Sequence, residues 1–277
     1  MATRPPLDDL AFRLLRDLIH EHTGLQFDDD SRRRLERCLA PRLAELRLGD
    51  FVEYHRHLRL APTRRQELEH LVERVTTNET YFFREQYQLD ALRLEILPLL
   101  ARQRPRGRRL VLWSAGCSTG EEPYTLAILI LDSGLFVGWD VQVIGTDISR
   151  RVLTVARQGE YSGASFRQTE ERYLRQYFRP AGARYQLVPQ VRALVSFAQL
   201  NLVDRSAYAL LGECDVILCR NVLMYLAPAA RRLVLGGFLE QLTRGGYLLL
   251  GHSESLLNLS TAFELVDLEH DLVYRRP

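Results

Sequence analysis

The chain has 277 residues, with 37 basic side chains against 35 acidic ones and a formal net charge of +2. Such a composition is typical of a soluble globular protein with one large or two small domains, and it excludes a disordered chain. No apolar run reaches the ~18 residues of a transmembrane helix, and the near-neutral charge provides no overall field that would attract nucleic acid. We therefore expect a cytoplasmic protein that neither inserts into a membrane nor binds nucleic acid.

The basic and sulfur-containing residues exclude several kinds of chemistry. Every basic residue is arginine, so a Walker-type phosphate loop and a Schiff-base mechanism, which both need lysine, are excluded. The four cysteines are scattered without a C-x-x-C pair, and the histidines form no ligand cluster. We expect a reducing compartment, no disulfide framework and no metal.

Residues 7–74 carry helical signals only. Asp8 or Asp9 can cap a first helix that ends at Gly24, and Ser31 opens a second helix that Pro41 should kink or restart. Two capping-box patterns then begin two shorter helices, Asp50-Phe-Val-Glu53 and Thr63-Arg-Arg-Gln66. The second helix has an apolar stripe at helical spacing, formed by Leu35, Leu39, Leu43 and Leu46. This stretch predicts a small all-helical N-terminal domain, residues 1–75.

From about Gly107 the pattern changes to short apolar strands that alternate with helices. Strands are predicted at 109–113, 141–144, 216–219 and 247–250, and a final antiparallel pair at 263–266 and 272–274. Strands alternating with helices indicate a parallel sheet with helices on both faces, which is the α/β class. Segments broken by proline and glycine predict a small antiparallel β-subdomain inserted at about 177–198.

The turn after the first strand has the features of a nucleoside-binding loop. Gly116 and Gly120 lie between strand and helix, and Asp147 ends the next strand, where an acid can bind ribose hydroxyls. The turn is not G-x-G-x-x-G, and Glu121 and Glu122 open the helix. Two carboxylates there would repel a pyrophosphate and tolerate a cation, which favours S-adenosylmethionine over NAD or ATP. The alternative is that the two glutamates only complement the helix dipole.

Six segments, in this order, resemble the CheR family, the chemoreceptor glutamate methyltransferases of bacterial chemotaxis. They are Thr76-Thr-Asn-Glu-Thr-Tyr-Phe-Phe-Arg84, Trp113-Ser-Ala-Gly-Cys-Ser-Thr-Gly-Glu-Glu-Pro-Tyr124, Thr146-Asp-Ile148, Leu200-Asn-Leu202, Cys219-Arg-Asn-Val222 and Gly251-His-Ser-Glu254. The resemblance covers nearly the whole chain, including the helical N-terminal domain.

The resemblance implies an S-adenosylmethionine-dependent protein-glutamate O-methyltransferase. Its fold would be the helical domain followed by a Rossmann-like methyltransferase domain, residues 76–277, with the β-subdomain insertion. Its substrates would be glutamates on the cytoplasmic helices of methyl-accepting chemotaxis receptors, and its products glutamate methyl esters and S-adenosylhomocysteine. The cofactor contacts that it implies are Asn78, Thr80, Arg84, Glu122, Asp147, Asn201, Leu202, Arg220 and Asn221.

The chemistry of this reaction suggests roles for two further side chains. A glutamate side chain in water has a pKa of ~4.3, so it is an anion at neutral pH and needs no general base. The rate must then come from alignment and desolvation of the carboxylate. Arg84 and Tyr225 are the catalytic candidates that would orient it, through a guanidinium fork and a hydroxyl donor. The alternative for Tyr225 is a packing role in a strand-to-helix connection.

The N-terminal domain is the expected docking surface for the receptor. Arg33, Arg37 and Arg47 project away from the leucine stripe and could meet an acidic receptor helix; a merely solvated basic face is the alternative. We expect a monomer. Family members that hold a receptor C-terminal pentapeptide carry a Gly-x-Gly turn in the β-subdomain, whereas Arg179–Leu187 has only Gly182 here. The resemblance therefore implies independence from such a tether.

Three other functions compete with this assignment. A Rossmann dehydrogenase is disfavoured by the missing glycine motif and the paired glutamates. A methyltransferase of nucleic acid or of small molecules would keep the cofactor site, but the near-neutral charge disfavours nucleic acid. A regulatory module that binds S-adenosylmethionine without turnover is disfavoured by the presence of Arg84 and Tyr225.

Overall fold

The computed structural model describes residues 6–103 and 109–277. By its contacts the chain divides into two units. The first comprises Met1–Thr77 together with Tyr225–Ala230, and the second comprises Asn78–Met224 and Arg231–Pro277. The return of a short late segment to the N-terminal unit is a feature that the sequence did not predict.

The first unit is helical, as predicted. Its helices are α1 (Asp9–Thr23), α2 (Arg32–Leu46), α3 (Phe51–Leu60) and α4 (Arg64–Val75). The Asp8 side chain accepts a hydrogen bond from the Ala11 N–H at the start of α1, and Gly24 ends this helix in the left-handed conformation at φ 72°. Helix α2 does not restart at Pro41 but continues through it to Leu46.

The core of the helical unit consists of the apolar stripes of its helices. Leu35, Leu39 and Leu43 of α2 are buried, as the sequence pattern predicts. The returning segment is joined by backbone hydrogen bonds to the loop that follows α1. The Gln26 N–H donates to the Tyr225 carbonyl, and the Ala227 N–H donates to the Gly24 carbonyl, both at 2.9 Å.

The second unit alternates helices and strands. It begins with α5 (Gln86–Asp90), a π-helical stretch (Ala91–Ile96) and α6 (Leu97–Gln103), a region in which the sequence analysis predicts no element. The elements that follow are β1 (Arg109–Ala115), α7 (Glu121–Ser133), β2 (Asp140–Asp147), α8 (Arg150–Gln158), β3 (Glu160–Tyr161), α9 (Glu171–Tyr177), β4 (Phe178–Ala181), β5 (Arg184–Leu187), α10 (Pro189–Ala193), β6 (Val195–Gln199), β7 (Cys214–Cys219), α11 (Pro228–Gln241), β8 (Leu242–Leu250), β9 (Glu264–Asp267) and β10 (Leu272–Arg275).

The large sheet has the order β6-β2-β1-β7-β8-β10-β9. Strands β6, β2, β1, β7 and β8 run parallel, and β10 pairs antiparallel with β8 and β9. From β1 the chain moves outward through β2 to β6 and then returns to β7 on the other side of β1. In open α/β sheets, ligands bind outside the carboxyl ends of the strands at such a reversal. The strand order therefore predicts a ligand crevice where β1 and β7 end.

The small antiparallel sheet has the order β3-β5-β4, and its bounds differ from the predicted insertion at 177–198. It begins at β3, before the predicted start, and its last strand ends at Leu187. Strand β6 instead pairs parallel with β2 in the large sheet, with Val195 opposite Val143. The prediction was wrong there because Pro189 does not interrupt an insertion but begins α10, which leads into β6.

Candidate functional site

The turn between β1 and α7 is packed too closely for side chains at its glycines. Gly116 and Gly120 have φ values of 85° and 94°, where L residues are strained. A Cβ at Gly116 would lie 2.5 Å from Cγ2 of Val222, and a Cβ at Gly120 would lie 2.8 Å from Cβ of Ala156. The predicted turn glycines are thus required by backbone conformation and by space.

Asp147 ties this turn to the end of β2. Its Oδ2 accepts from the Ser118 N–H and its Oδ1 from the Ser149 N–H, both at 2.9 Å. Burial raises the pKa of the Asp147 carboxyl, and the backbone donors offset the increase only in part. The Asp147 carbonyl accepts from the Leu200 N–H at 3.0 Å. The structure therefore brings Asp147 together with the segment that carries Asn201 and Leu202.

The two glutamates that open α7 have different surroundings. Glu121 is buried, and it accepts from the hydroxyls of Thr119 at 2.6 Å and Ser165 at 3.0 Å. Burial raises the pKa of its carboxyl. Glu122 accepts instead from the Ser114 hydroxyl at 2.7 Å. Both carboxylates make hydrogen bonds within the protein, and Glu121, which is not among the predicted cofactor contacts, is the more deeply buried of the two.

Arg220, directly after β7, joins two acidic side chains from distant parts of the chain. Its Nη1 lies 3.1 Å from Glu122 Oε2, and its Nη2 lies 3.1 Å from Glu85 Oε2. Nη2 also donates to the Arg84 carbonyl. The Arg220 Nε–H is buried and has no hydrogen-bond partner among the residues described. It is a donor that a bound ligand could satisfy. Asn221 follows, with its Nδ2 3.4 Å from Glu85 Oε1.

Buried aromatic rings anchor the segment that carries Asn78, Thr80 and Arg84. Phe82 and Phe83 are both buried, and the Phe83 ring stacks on Tyr173 with centroids 4.5 Å apart. The Ser118 hydroxyl donates to the Asn78 carbonyl at 3.1 Å, which ties the segment to the turn between β1 and α7, the predicted cofactor turn.

The Arg84 guanidinium is partly exposed within this segment. It donates through Nη1 to the Glu79 carbonyl at 3.0 Å and lies over the Tyr81 ring, 5.6 Å from its centroid. The side chain is 27% exposed. A bidentate fork with exposed donors is suited to a carboxylate.

The remaining predicted residues belong to the helical unit. Tyr225 is 37% exposed and lies in the returning segment. Arg33, Arg37 and Arg47 are exposed on α2 and at its C-terminal end. Arg42 differs from them, because it pairs with Glu67 and Glu45.

Sequence reasoning missed two functional candidates. Glu85 carries no sequence signal of its own, although it bonds both Arg220 and Asn221. Glu254 is marked in the sequence only by the family motif Gly251-His-Ser-Glu254, although its carboxylate accepts hydrogen bonds from four backbone N–H groups. The left-handed backbone of Glu85 and Asn221 (φ 58° and 59°) marks this region, and strain of this kind clusters at functional sites. Backbone strain is not visible in a sequence.

The acidic side chains of the predicted crevice fit a cationic nucleoside. Glu85, Glu122 and Asp147 supply carboxylates near the ends of β1, β2 and β7, which attract a cation and repel a phosphate. Across residues 6–103 and 109–277, no cluster of histidine, cysteine, aspartate and glutamate could hold a metal ion. None of the helices that the structure describes is long and apolar enough to cross a membrane.

Two family models match the chain. Residues 10–76 match the CheR methyltransferase all-alpha domain, and residues 78–272 match the CheR methyltransferase SAM binding domain. Chemotaxis protein methyltransferase 2 of Vibrio cholerae is 35% identical, over 98% of this chain and 94% of its own. Chemotaxis protein methyltransferase 1 of Pseudomonas aeruginosa is 39% identical, over 75% of this chain and 77% of its own. Chemotaxis protein methyltransferase of Vibrio parahaemolyticus is 33% identical, over 97% and 98% respectively.

Proposed function

Because the chain belongs to the CheR family of S-adenosylmethionine-dependent chemotaxis methyltransferases, we propose that it methylates glutamate side chains of methyl-accepting chemotaxis receptors. The products would be glutamate methyl esters, formed on the cytoplasmic receptor helices during chemotactic adaptation. The family establishes the cofactor and the reaction class, and the chemistry of the crevice supports the choice of nucleophile.

The observation that carries this proposal is the state of the acidic side chains around the cofactor turn. Each accepts hydrogen bonds from other groups of the protein; these side chains are Glu85, Glu121, Glu122, Asp147 and Glu254. Burial raises the pKa of Glu121, Asp147 and Glu254. Their oxygens are nevertheless held by donors within the protein, whereas a general base has to reach the proton of the nucleophile. A substrate glutamate is already ionised at neutral pH and needs no base.

When bound, S-adenosylmethionine supplies a sulfonium methyl group that a carboxylate oxygen attacks, with the electron pair of the broken C–S bond remaining on sulfur. The protein then has to bind, orient and desolvate the substrate carboxylate rather than move a proton. Glu122 and Asp147 would hold the cofactor together with Asn78, Thr80, Arg84, Asn201, Leu202, Arg220 and Asn221.

Arg84 and Tyr225 would orient the substrate carboxylate. Arg84 has a partly exposed guanidinium beside the buried Arg220 cluster, and its fork matches a carboxylate in geometry. The proposal for Tyr225 depends on its position in the sequence, four residues after Asn221, and on its exposed hydroxyl-bearing side chain.

Receptor docking would use the exposed arginines of the helical unit. Arg33, Arg37 and Arg47 have no ion-pair partner among the residues described, whereas Arg42 and Arg32 on the same helix are paired. Unpaired surface cations retain their attraction for an acidic partner. We propose that the monomeric enzyme binds an acidic face of a receptor helix there.

The enzyme would also act without a receptor tail tether. The β4–β5 connection consists of Gly182 and Ala183 only, without a second glycine. Calorimetry with a receptor C-terminal pentapeptide should show no binding at micromolar peptide. Micromolar affinity would contradict this part of the proposal.

The function itself is tested with methyl-labelled cofactor and a purified receptor cytoplasmic fragment. We expect label on the fragment that alkali releases as methanol, because methyl esters are base-labile. A fragment in which the accepting glutamates are replaced by alanine is the control. Label that resists alkali, or that persists on the alanine fragment, would reject glutamate esterification.

A further inference from the structure

The carboxylate of Glu254, which follows β8, accepts hydrogen bonds from four backbone N–H groups. Its Oε2 accepts from the Asn221 N–H and the Gly251 N–H, both at 2.8 Å. Its Oε1 accepts from the Val222 N–H at 2.9 Å and the Met224 N–H at 3.0 Å. A cluster of backbone N–H groups of this kind forms an anion-binding nest. Here the anion is a side chain of the protein itself.

Three of the four donors belong to the segment Asn221–Met224, which is not a regular strand or α-helix. Asn221 has left-handed backbone (φ 59°), a conformation that needs support from its surroundings. The approach is close enough that a Cβ at Gly251 would lie 2.7 Å from the Asn221 nitrogen. Without the Glu254 carboxylate these N–H groups, of which those of Asn221 and Val222 are half-buried and that of Met224 is exposed, would lose their protein acceptor.

The same segment contacts the cofactor turn and the acidic cluster. The Val222 side chain occupies the space that a Cβ at Gly116 would need, and the Asn221 carboxamide reaches Glu85. Tyr225 is the next residue of the chain after Met224. A change at Glu254 would therefore be transmitted to the turn and to the segment that leads to Tyr225.

We propose that Glu254 is a positioning residue for methyl transfer, whose carboxylate fills a nest of backbone N–H groups and so sets the Asn221–Met224 segment against the cofactor turn. It would touch neither cofactor nor substrate and would act through this segment. The inference rests on the proposed function in one respect, namely that Asn221 contacts the cofactor.

The test compares Glu254→Gln and Glu254→Ala with the wild-type enzyme. Glutamine keeps the shape but turns an NH2 group towards N–H donors, and alanine removes the atoms that correspond to an acetate ion. We expect both variants to bind S-adenosylhomocysteine about tenfold more weakly or worse, the equivalent of one charge-assisted hydrogen bond. Added acetate should restore affinity and turnover to Glu254→Ala, at concentrations that leave the wild type unchanged. It should not restore them to Glu254→Gln, where the amide occupies the nest.

Glu95 is the matched control. Its carboxylate also accepts two backbone N–H groups, from Glu269 at 3.0 Å and His270 at 3.2 Å, in the same unit but at the β9–β10 connection. Glu95→Ala should lower the thermal midpoint while leaving the affinity for S-adenosylhomocysteine unchanged. A merely structural role for Glu254 would give this same pattern.

Wild-type affinity and turnover in folded Glu254→Gln would overturn the inference, as would weakened Glu254→Ala that acetate does not restore. If Glu254→Ala does not fold, the affinity of Glu254→Gln alone decides the test.

The variant Asn221→Ala separates this inference from the proposed function. Unchanged affinity in that variant removes Asn221 from the cofactor contacts, while acetate rescue of Glu254→Ala would still support the positioning role.

Discussion

Arg84 and Tyr225 should matter more for turnover than for binding the cofactor product. Tyr225→Phe removes one hydroxyl and little volume, so the affinity for S-adenosylhomocysteine should be unchanged. Loss of one aligned hydrogen bond of about 1–3 kcal/mol lowers the rate about ten- to a hundredfold. Arg84→Ala should lower kcat at least as much. Methyl transfer and product binding, measured on both variants, check this. A wild-type rate in Tyr225→Phe would make Tyr225 a packing residue and leave alignment to Arg84.

Asp147 has two tasks in the structure, one of which the sequence did not predict. Besides its proposed contact with the ribose, it accepts the N–H groups of Ser118 and Ser149. Asp147→Ala should weaken binding of S-adenosylhomocysteine by about 1–3 kcal/mol through loss of charge-assisted hydrogen bonds. Asp147→Asn, which keeps one acceptor oxygen, should fall between alanine and the wild type in calorimetry. Unchanged affinity in Asp147→Ala would remove this residue from the site.

At the scale of single elements, whether a predicted N-cap residue caps its helix depends on the backbone conformation of that residue. Asp50 has extended backbone, and its side chain accepts from the Glu53 N–H at 2.8 Å, so the N-cap half of the first predicted capping box is confirmed. The Glu53 side chain accepts from the Gly49 N–H at 2.7 Å and not from the Asp50 N–H that the box predicts. Thr63 has φ −87° and ψ 7°, outside the extended conformation that a capping residue needs, and makes no such bond. The predicted capping box at Thr63 was therefore wrong, although α4 begins at the next residue.

Glu67 links α2, α3 and α4 through a buried network. It accepts three hydrogen bonds from the Arg42 guanidinium, at 2.6, 2.9 and 3.2 Å, and one from the Tyr54 hydroxyl at 2.8 Å. Glu67→Ala leaves Arg42 and Tyr54 without this acceptor and should cost about 3 kcal/mol of unfolding free energy, as for other broken buried pairs. Urea denaturation at neutral pH measures this. Exposed Gln66→Ala on the same helix is the control and should change little.

The contribution of Glu67 should also depend on pH. Burial raises the pKa of this carboxyl, but the bonds from Arg42 and Tyr54 outweigh the burial, so its pKa lies below the ordinary value. A lowered folded-state pKa gives stabilisation that is complete above the unfolded pKa of ~4.3 and is lost as the pH falls through the folded-state value. The stability difference between wild type and Glu67→Gln should therefore be constant from neutral pH down to mildly acidic pH and shrink below it. A difference that grows on acidification would contradict this sign.

At the scale of the whole molecule, the near-zero net charge conceals a local basic surface. Replacing Arg33, Arg37 and Arg47 together by alanine should raise the KM for a receptor fragment about tenfold at low salt, from exposed pairs worth about 0.5 kcal/mol each. Added salt should reduce the difference because it screens exposed charges. The values of kcat and of product affinity should not change. The control replaces exposed Arg56, Arg64 and Arg65, with the same change in charge elsewhere in the helical unit. Equal effects of the two triple variants would reject a specific docking face.

The sequence by itself determined those structural features that depend on residues close together along the chain. The helical stripe around Leu39, the glycine turn after β1 and the acid that ends β2 all lie within a few residues of the features that specify them. Hydrophobic period, capping chemistry and the conformational freedom of glycine act over this short range. These signals were enough to place the helical unit, the parallel strands and the glycine turn after β1.

Only the tertiary structure decided how the polar side chains of the site pair. The Arg220–Glu85 pair spans 135 residues of sequence and the Arg220–Glu122 pair spans 98. The tertiary structure also decided that Glu121 is buried and that the Glu254 carboxylate fills a nest of backbone N–H groups. It likewise decided that β6 joins the large sheet and that Tyr225–Ala230 belongs to the helical unit. A charged side chain near a crevice can reach solvent, ligand or protein, and its burial selects the partner, since an unpaired buried charge is costly. Burial depends on which strands become neighbours, and that is a property of the folded chain as a whole.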